Sequence, residues 1–96
     1  MNYKLSSAAS NDLVGIYKFG IHFFGIKQAK EYLFALELFL DELSKRTELA
    51  RDASMFAKSL NYYRFKSHVI FYVFDSDNQI FIIRILGKRM DFIQHL

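Results

Sequence analysis

Apolar positions recur three and four residues apart in the first half of the chain, and every second residue in much of the second half. Leu13, Ile16, Tyr17, Gly20, Phe23 and Phe24 make the first stripe, which predicts a helix with one face turned to a core. Ser6 or Ser7 offers a hydroxyl to the orphan amides at its start, and Asn2 to Leu5 ahead of it reads as a short strand. Gly20 lets a neighbouring backbone approach, and Gly25 ends the helix. A second stripe, Ala29, Tyr32, Leu33, Leu36, Leu40 and Leu43, lies within Lys27 to Arg46, so two helices joined by a short turn form an antiparallel hairpin. Val14, Ile21, Phe34, Leu38 and Phe39 fall beside or behind these stripes. The hairpin therefore carries more apolar surface than one interface uses. A sheet on one side and the partner helix on the other would cover a wide face; an external partner laid in a groove would do the same.

Thr47 to Ser59 is polar and mixed, a connecting segment with Met55 and Phe56 as anchors. From Leu60 the period changes. Tyr63 and Phe65 alternate with Tyr62, Arg64 and Lys66, and HVIFYVF from His68 to Phe74 is apolar on both faces. A tight turn at Lys66 and Ser67 joins these strands. Asp75, Ser76, Asp77 and Asn78 are turn formers, and Gln79 to Leu86 completes a three-stranded antiparallel meander. Strict alternation puts Ile80, Ile82, Arg84 and Leu86 on one face and Phe81, Ile83 and Ile85 on the other. After Gly87, the spacing of Met90, Ile93 and Leu96 predicts a brief terminal helix folded back on the sheet. The fold class is α+β: an N-terminal strand, an antiparallel helix hairpin packed on a mainly antiparallel sheet with a C-terminal meander, and a short C-terminal helix.

At 96 residues the chain suits one domain over residues 1–96. An aromatic content of 18% excludes disorder and points to a standing protein partner for the surplus apolar surface. The absence of cysteine removes disulfides and thiolate metal sites, and three scattered histidines do not make a metal site. No apolar run is long enough to span a bilayer and the N-terminus lacks a signal-peptide layout, so a soluble cytoplasmic protein is expected. Residues 1–44 hold four Lys/Arg against five Asp/Glu, and residues 45–96 hold nine against five. The basic C-terminal half suits an acidic protein segment or a nucleic-acid backbone, and equally an ordinary solvated surface.

The order strand, helix hairpin, meander, with HVIFYVF followed by IFIIRILGKRMDFIQHL, resembles the ParE toxins of the ParE/RelE toxin superfamily. The matching positions span nearly the whole chain: Asp12-Leu13, Gln28-Ala29 and Tyr32, Ala50-Arg51, His68 to Tyr72, and Arg84 to Asp91. Where the family commonly carries a histidine after the strand, this chain has Gly87. The resemblance implies a type II toxin that needs no cofactor and is neutralised by a ParD-like antitoxin wrapped around it. It also implies inhibition of DNA gyrase by binding the topoisomerase and stabilising cleaved DNA, without membrane or sequence-specific nucleic-acid binding. The related RelE branch implies an alternative, a ribosome-dependent mRNA endonuclease. That chemistry needs a proton shuttle, and after Arg89 only Phe92 and His95 stand where a tyrosine usually does.

Arg84 interrupts an apolar strand and either pairs with a carboxylate such as Asp91 or meets a partner. Together with Lys88, Arg89, Met90, Asp91 and His95 it forms the target-binding candidate, with no catalytic residue assigned. Asp91 either caps the terminal helix or pairs with Arg89. Val14, Ile21, Phe34, Leu38, Phe39, Arg51 and Arg64 are the antitoxin-binding candidates. Arg51 and Arg64 are also placed to join Arg84 on one side of the sheet, where three guanidiniums would grip carboxylates or phosphates. His68, opening a buried strand, reads as a histidine satisfied by local hydrogen bonds.

Overall fold

The computed structural model describes residues 3–75 and 79–96. Strand β1 (Tyr3–Leu5) leads into helices α1 (Ser7–Phe24) and α2 (Ile26–Lys45). A single 3₁₀ turn (Thr47–Leu49) follows, then strands β2 (Arg51–Asp52), β3 (Asn61–Phe65), β4 (His68–Phe74) and β5 (Ile80–Gly87), and helix α3 (Phe92–His95). The sheet order is β1-β5-β4-β3-β2. All neighbours are antiparallel except β1 and β5, which run parallel. This is the predicted α+β architecture, with β2 as an addition that the polar connecting segment did not announce. Asn2 of the predicted first strand, and Ser76, Asp77 and Asn78 of the predicted turn, lie outside the described residues.

Local chemistry accounts for the boundaries. Ser6 is the cap of α1: its backbone is extended and its Oγ accepts from the Ala9 amide at 2.9 Å. Gly25 separates the two helices at φ 88°, a conformation that favours glycine. Within the hairpin, a Cβ on Gly20 would lie 3.1 Å from the Ala29 Cβ, so the missing side chain is what lets α1 and α2 close up. Lys66, at φ 53°, is the first central residue of the two-residue turn between β3 and β4, as a II′ geometry requires.

Each face of the sheet carries its own core. Leu36, Leu40 and Leu43 of α2 pack with Ala9 of α1 onto Ile70, Tyr72, Ile80, Ile82 and Ile85. On the opposite face, Val69, Phe71 and Leu86 meet Ala53, Leu60, Phe56 and Phe92 from the connecting segment and α3. Because both faces are covered, HVIFYVF is apolar throughout.

The strict alternation predicted for β5 does not hold. Phe71 pairs with Arg84 but Tyr72 pairs with Ile82, so β5 carries one extra residue at that point, a β-bulge. Ile80 and Ile82 therefore face the helices together with Ile85, whereas Ile83 and Leu86 join the second core and Arg84 lies opposite Phe71. Other anchors also differ from the pattern. Phe23 and Phe24 are exposed, because the residues of α1 packed into the core end at Ile16 and the last turns run past the sheet. Met55 is exposed, and of the two predicted anchors Phe56 docks, edge-on to Phe71 and Phe92, beside the buried Ala53. In α3 the docking residue is Phe92, 5.1 Å from Phe71 between ring centres, and Ile93 points outward, 76% exposed.

Tyr72 is the outlier of the core. Its ring is fully buried and its hydroxyl has no hydrogen-bond partner among the described residues; burial pushes its pKa up to about 12. A buried, unpaired hydroxyl is destabilising, so Tyr72→Phe should raise unfolding stability by about 1 kcal/mol in urea titrations. A loss of stability would show that the hydroxyl has a partner after all.

Candidate functional site

The free edge of β5 organises the site. Strand β1 covers β5 only from Ile80 to Ile82, and beyond it the first turns of α1 take over. The Ser6 amide donates to the Ile82 carbonyl at 2.9 Å and the Ser6 hydroxyl to the Ile83 carbonyl at 2.6 Å. The Ile85 amide donates to Asp12 Oδ2 at 2.9 Å. Side chains thus satisfy edge groups that a longer strand would otherwise have paired.

Asp12 also receives Arg84, through Nε to Oδ2 at 2.9 Å and Nη2 to Oδ1 at 2.8 Å. The side chains are 21% and 13% exposed, and this fork-to-fork geometry is the strong form of the pair. The Asp12 carboxylate raises the already high pKa of Arg84. Arg84 Nη1 donates in addition to the His95 carbonyl at 2.7 Å. The predicted pairing of Arg84 with Asp91 is thus replaced by one with Asp12, 72 residues away. Asp91 instead caps α3, accepting from the Ile93 amide. The family resemblance marked both Asp12 and Arg84 as matched positions, but nothing in the spacing showed that they meet.

Between α1 and the end of β5 lies a cleft of about 770 Å³, lined by Asp12, Ile16 and Phe19 on one wall and by His68, Lys88, Arg89 and Met90 on the other. Met90 folds back so that the Gly87 amide contacts its sulfur at 3.1 Å. His68 is held from behind: Tyr32 Oη lies 2.7 Å from its Nδ1. Hydrogen bonds from Ser67 reach the Tyr32 oxygen, although burial has the larger effect and raises the Tyr32 pKa. The Tyr32 hydroxyl and Nδ1 share one proton, carried by either partner according to the imidazole tautomer. Burial lowers the His68 pKa, and the nearby Asp12 charge opposes this. Satisfaction by local hydrogen bonds, as predicted, holds for its Nδ1.

The remaining candidates divide between two other places. Val14, Ile21, Phe34 and Leu38 are exposed on the hairpin, Phe34 at 64%. Phe39 is half-buried and stacked on Phe65 and Tyr63, with ring centres 4.8 and 5.7 Å away. Arg51 and Arg64 line a small pocket with Tyr62 and Tyr63, where the Arg51 guanidinium lies 5.8 Å from the Tyr63 ring centre. Arg84 lies in the same cross-strand row as Arg51, through Phe71 and Tyr62, but β4 separates it from their strands and its guanidinium turns to Asp12. Among the described residues no cluster of His, Asp or Glu could hold a metal ion, and no helix is long and apolar enough to cross a membrane.

A family model described as the ParE toxin of the type II toxin-antitoxin system parDE matches residues 3–92. The chain belongs to the ParE toxin family. Among solved structures it is similar to a chain of the "Chromosomal ParDE TA system from P. aeruginosa", with a TM-score of 0.76 and 16% identity over 91% of this chain and 95% of that one. At that identity the likeness concerns the fold. A comparison with curated proteins finds no match. In this ParE-family chain the segment from Arg84 to Asp91 keeps its shape through the Asp12 clamp and the Asp91 cap.

Two outcomes follow from this geometry. Asp12→Ala strands the Arg84 guanidinium and the Ile85 amide, and should cost roughly 3 kcal/mol in chemical denaturation. For His68 the folded pKa lies below the unfolded value, so the unfolded chain takes up the proton first as pH falls. Its contribution to stability is complete above the ordinary value of 6.5 and declines as pH drops through it. Thermal melts between about pH 7.5 and about pH 5.5 should show wild type losing more stability than His68→Gln; parallel curves would remove His68 from the acid response.

Proposed function

We propose that this chain is the toxin of a toxin-antitoxin pair, that it inhibits DNA gyrase by binding it and stabilising cleaved DNA, and that a ParD-like antitoxin neutralises it. The family match over residues 3–92 carries the reading, since gyrase inhibition and a ParD partner are typical of ParE toxins. The toxin acts through a surface rather than a reaction. In this reading Lys88, Arg89 and Met90, exposed at the cleft rim, touch the target together with Asp91 and His95, and Arg84 holds them in place from the Asp12 clamp. The antitoxin takes the opposite kind of surface: the exposed Val14, Ile21, Phe34 and Leu38 on the hairpin accept the apolar face of an amphipathic segment. Phe39 supports that face from below, and Arg51 and Arg64 meet acidic residues farther along it.

Purified protein added to gyrase supercoiling reactions and to translating ribosomes tests the assignment. Loss of supercoiling with accumulation of cleaved DNA, abolished by Lys88→Ala/Arg89→Ala, is the expected result. Cut mRNA with gyrase untouched would instead establish the endonuclease alternative, and supercoiling inhibition that survives the double substitution would move the target surface elsewhere.

A further inference from the structure

The cleft between α1 and the end of β5 holds a combination of groups that target binding leaves unexplained. Its volume, about 770 Å³, falls within the roughly 300 to 1,000 Å³ of small-molecule sites. Its one acidic wall residue, Asp12, is neutralised by Arg84. Lys88 and Arg89, by contrast, enter no ion pair among the described residues, so they are cations left uncompensated at the cleft. Phe19 lines the cleft yet remains 58% exposed, supported by Phe23 with ring centres 4.4 Å apart. Asn11 adds an amide to the lining. With the His68 Nδ1 paired to Tyr32, its Nε2 remains as a hydrogen-bonding atom.

We propose that this cleft binds a nucleotide unit of single-stranded nucleic acid, the base lying against Phe19 and the phosphate held by Lys88 and Arg89. A flat, exposed aromatic surface beside uncompensated cations matches the two parts of a nucleotide, a stacking π-face and an anionic backbone. Asn11 and His68 are neutral hydrogen-bonding groups suited to a base edge. An acidic peptide would answer the cations but would give the ring and the neutral polar groups no defined partner. Binding is sequence-tolerant, because every base offers a π-face, and no bond is made or broken. Nucleotide binding of this kind does not depend on the gyrase reading, since the probe is a bare oligonucleotide and no topoisomerase is present.

The test titrates the full chain into a short fluorescein-labelled oligothymidylate and reads anisotropy at several salt concentrations. Saturable binding is expected, about tenfold weaker in Lys88→Glu/Arg89→Glu and with a salt slope reduced by about 0.7 for each phosphate that is no longer neutralised. Phe19→Ala should weaken binding by about fivefold or more, whereas Phe24→Ala, an equally exposed ring outside the cleft, should leave it unchanged. Circular dichroism melts identify any variant that fails to fold; Lys88→Gln/Arg89→Gln then replaces the charge reversal, with the same weakening expected. Three results would overturn the proposal: no binding by the unaltered chain, binding indifferent to the charge and Phe19 substitutions, or a glutamate-rich peptide that binds the cleft more tightly than the oligonucleotide.

Discussion

The Asp12 carboxylate is the point on which the site's geometry turns. It takes three donors from β5, two from the Arg84 side chain and one from the Ile85 backbone, and so ties the second turn of α1 to the middle of a strand 72 residues later. The arginine passes the tie on to the His95 carbonyl, which brings α3 into the same network. A charge pair of this kind owes its value to completeness. A partly buried guanidinium with a bidentate partner and a backbone acceptor is satisfied, while the same group with one partner removed faces a desolvation cost without compensation. The position of α1 at the sheet edge is thus held by polar bonds from Asp12 in addition to the packing of Ala9, Leu13 and Ile16.

The bulge explains why this arrangement is available. A regular β5 would turn Arg84 to the same face as Ile80 and Ile82, beneath the helices, where a guanidinium would be stranded among aliphatic side chains. One extra residue between the partners of Phe71 and Tyr72 moves Arg84 to the other face and lets Ile85 return to the helix side. Extra residues of this kind re-aim a side chain at a local expense in strand pairing. Here the unpaired edge groups nearby are taken up by Ser6 and Asp12, so the irregularity leaves few polar groups orphaned.

These particulars decide what could be read from the chain alone. The helix hairpin, its serine cap, the Gly20 contact and the meander were legible because each rests on local periodicity or on a residue with one conformational role. The order of elements read from those periods carried the family resemblance, which the family match over residues 3–92 bears out. The bulge was not legible, since a run of isoleucines offers no mark of which residue is extra. Arg84 was visible as an anomaly and Asp12 as a family-matched position, but their pairing was not, because a helix and a strand 72 residues apart share no spacing that would join them. Phe92 was hidden for a related reason: the spacing of Met90, Ile93 and Leu96 made a better stripe than the single ring that docks, and four residues are too few for periodicity to outweigh one aromatic contact.

Helix α1 faces three environments at once, and this shapes what its residues can tolerate. Asp12, Ile16 and Phe19 look into the cleft, Gly20 rests against Ala29, and Val14 and Ile21 are exposed to solvent. A helix repeats about every 3.6 residues, so these three directions interleave along the sequence and leave few neutral positions in its middle turns. The small residues mark the places where space is short, and the exposed apolar ones mark places where burial would be gained on association. The apolar outer surface and the cation-rimmed cleft thus occupy separate faces of a single helix.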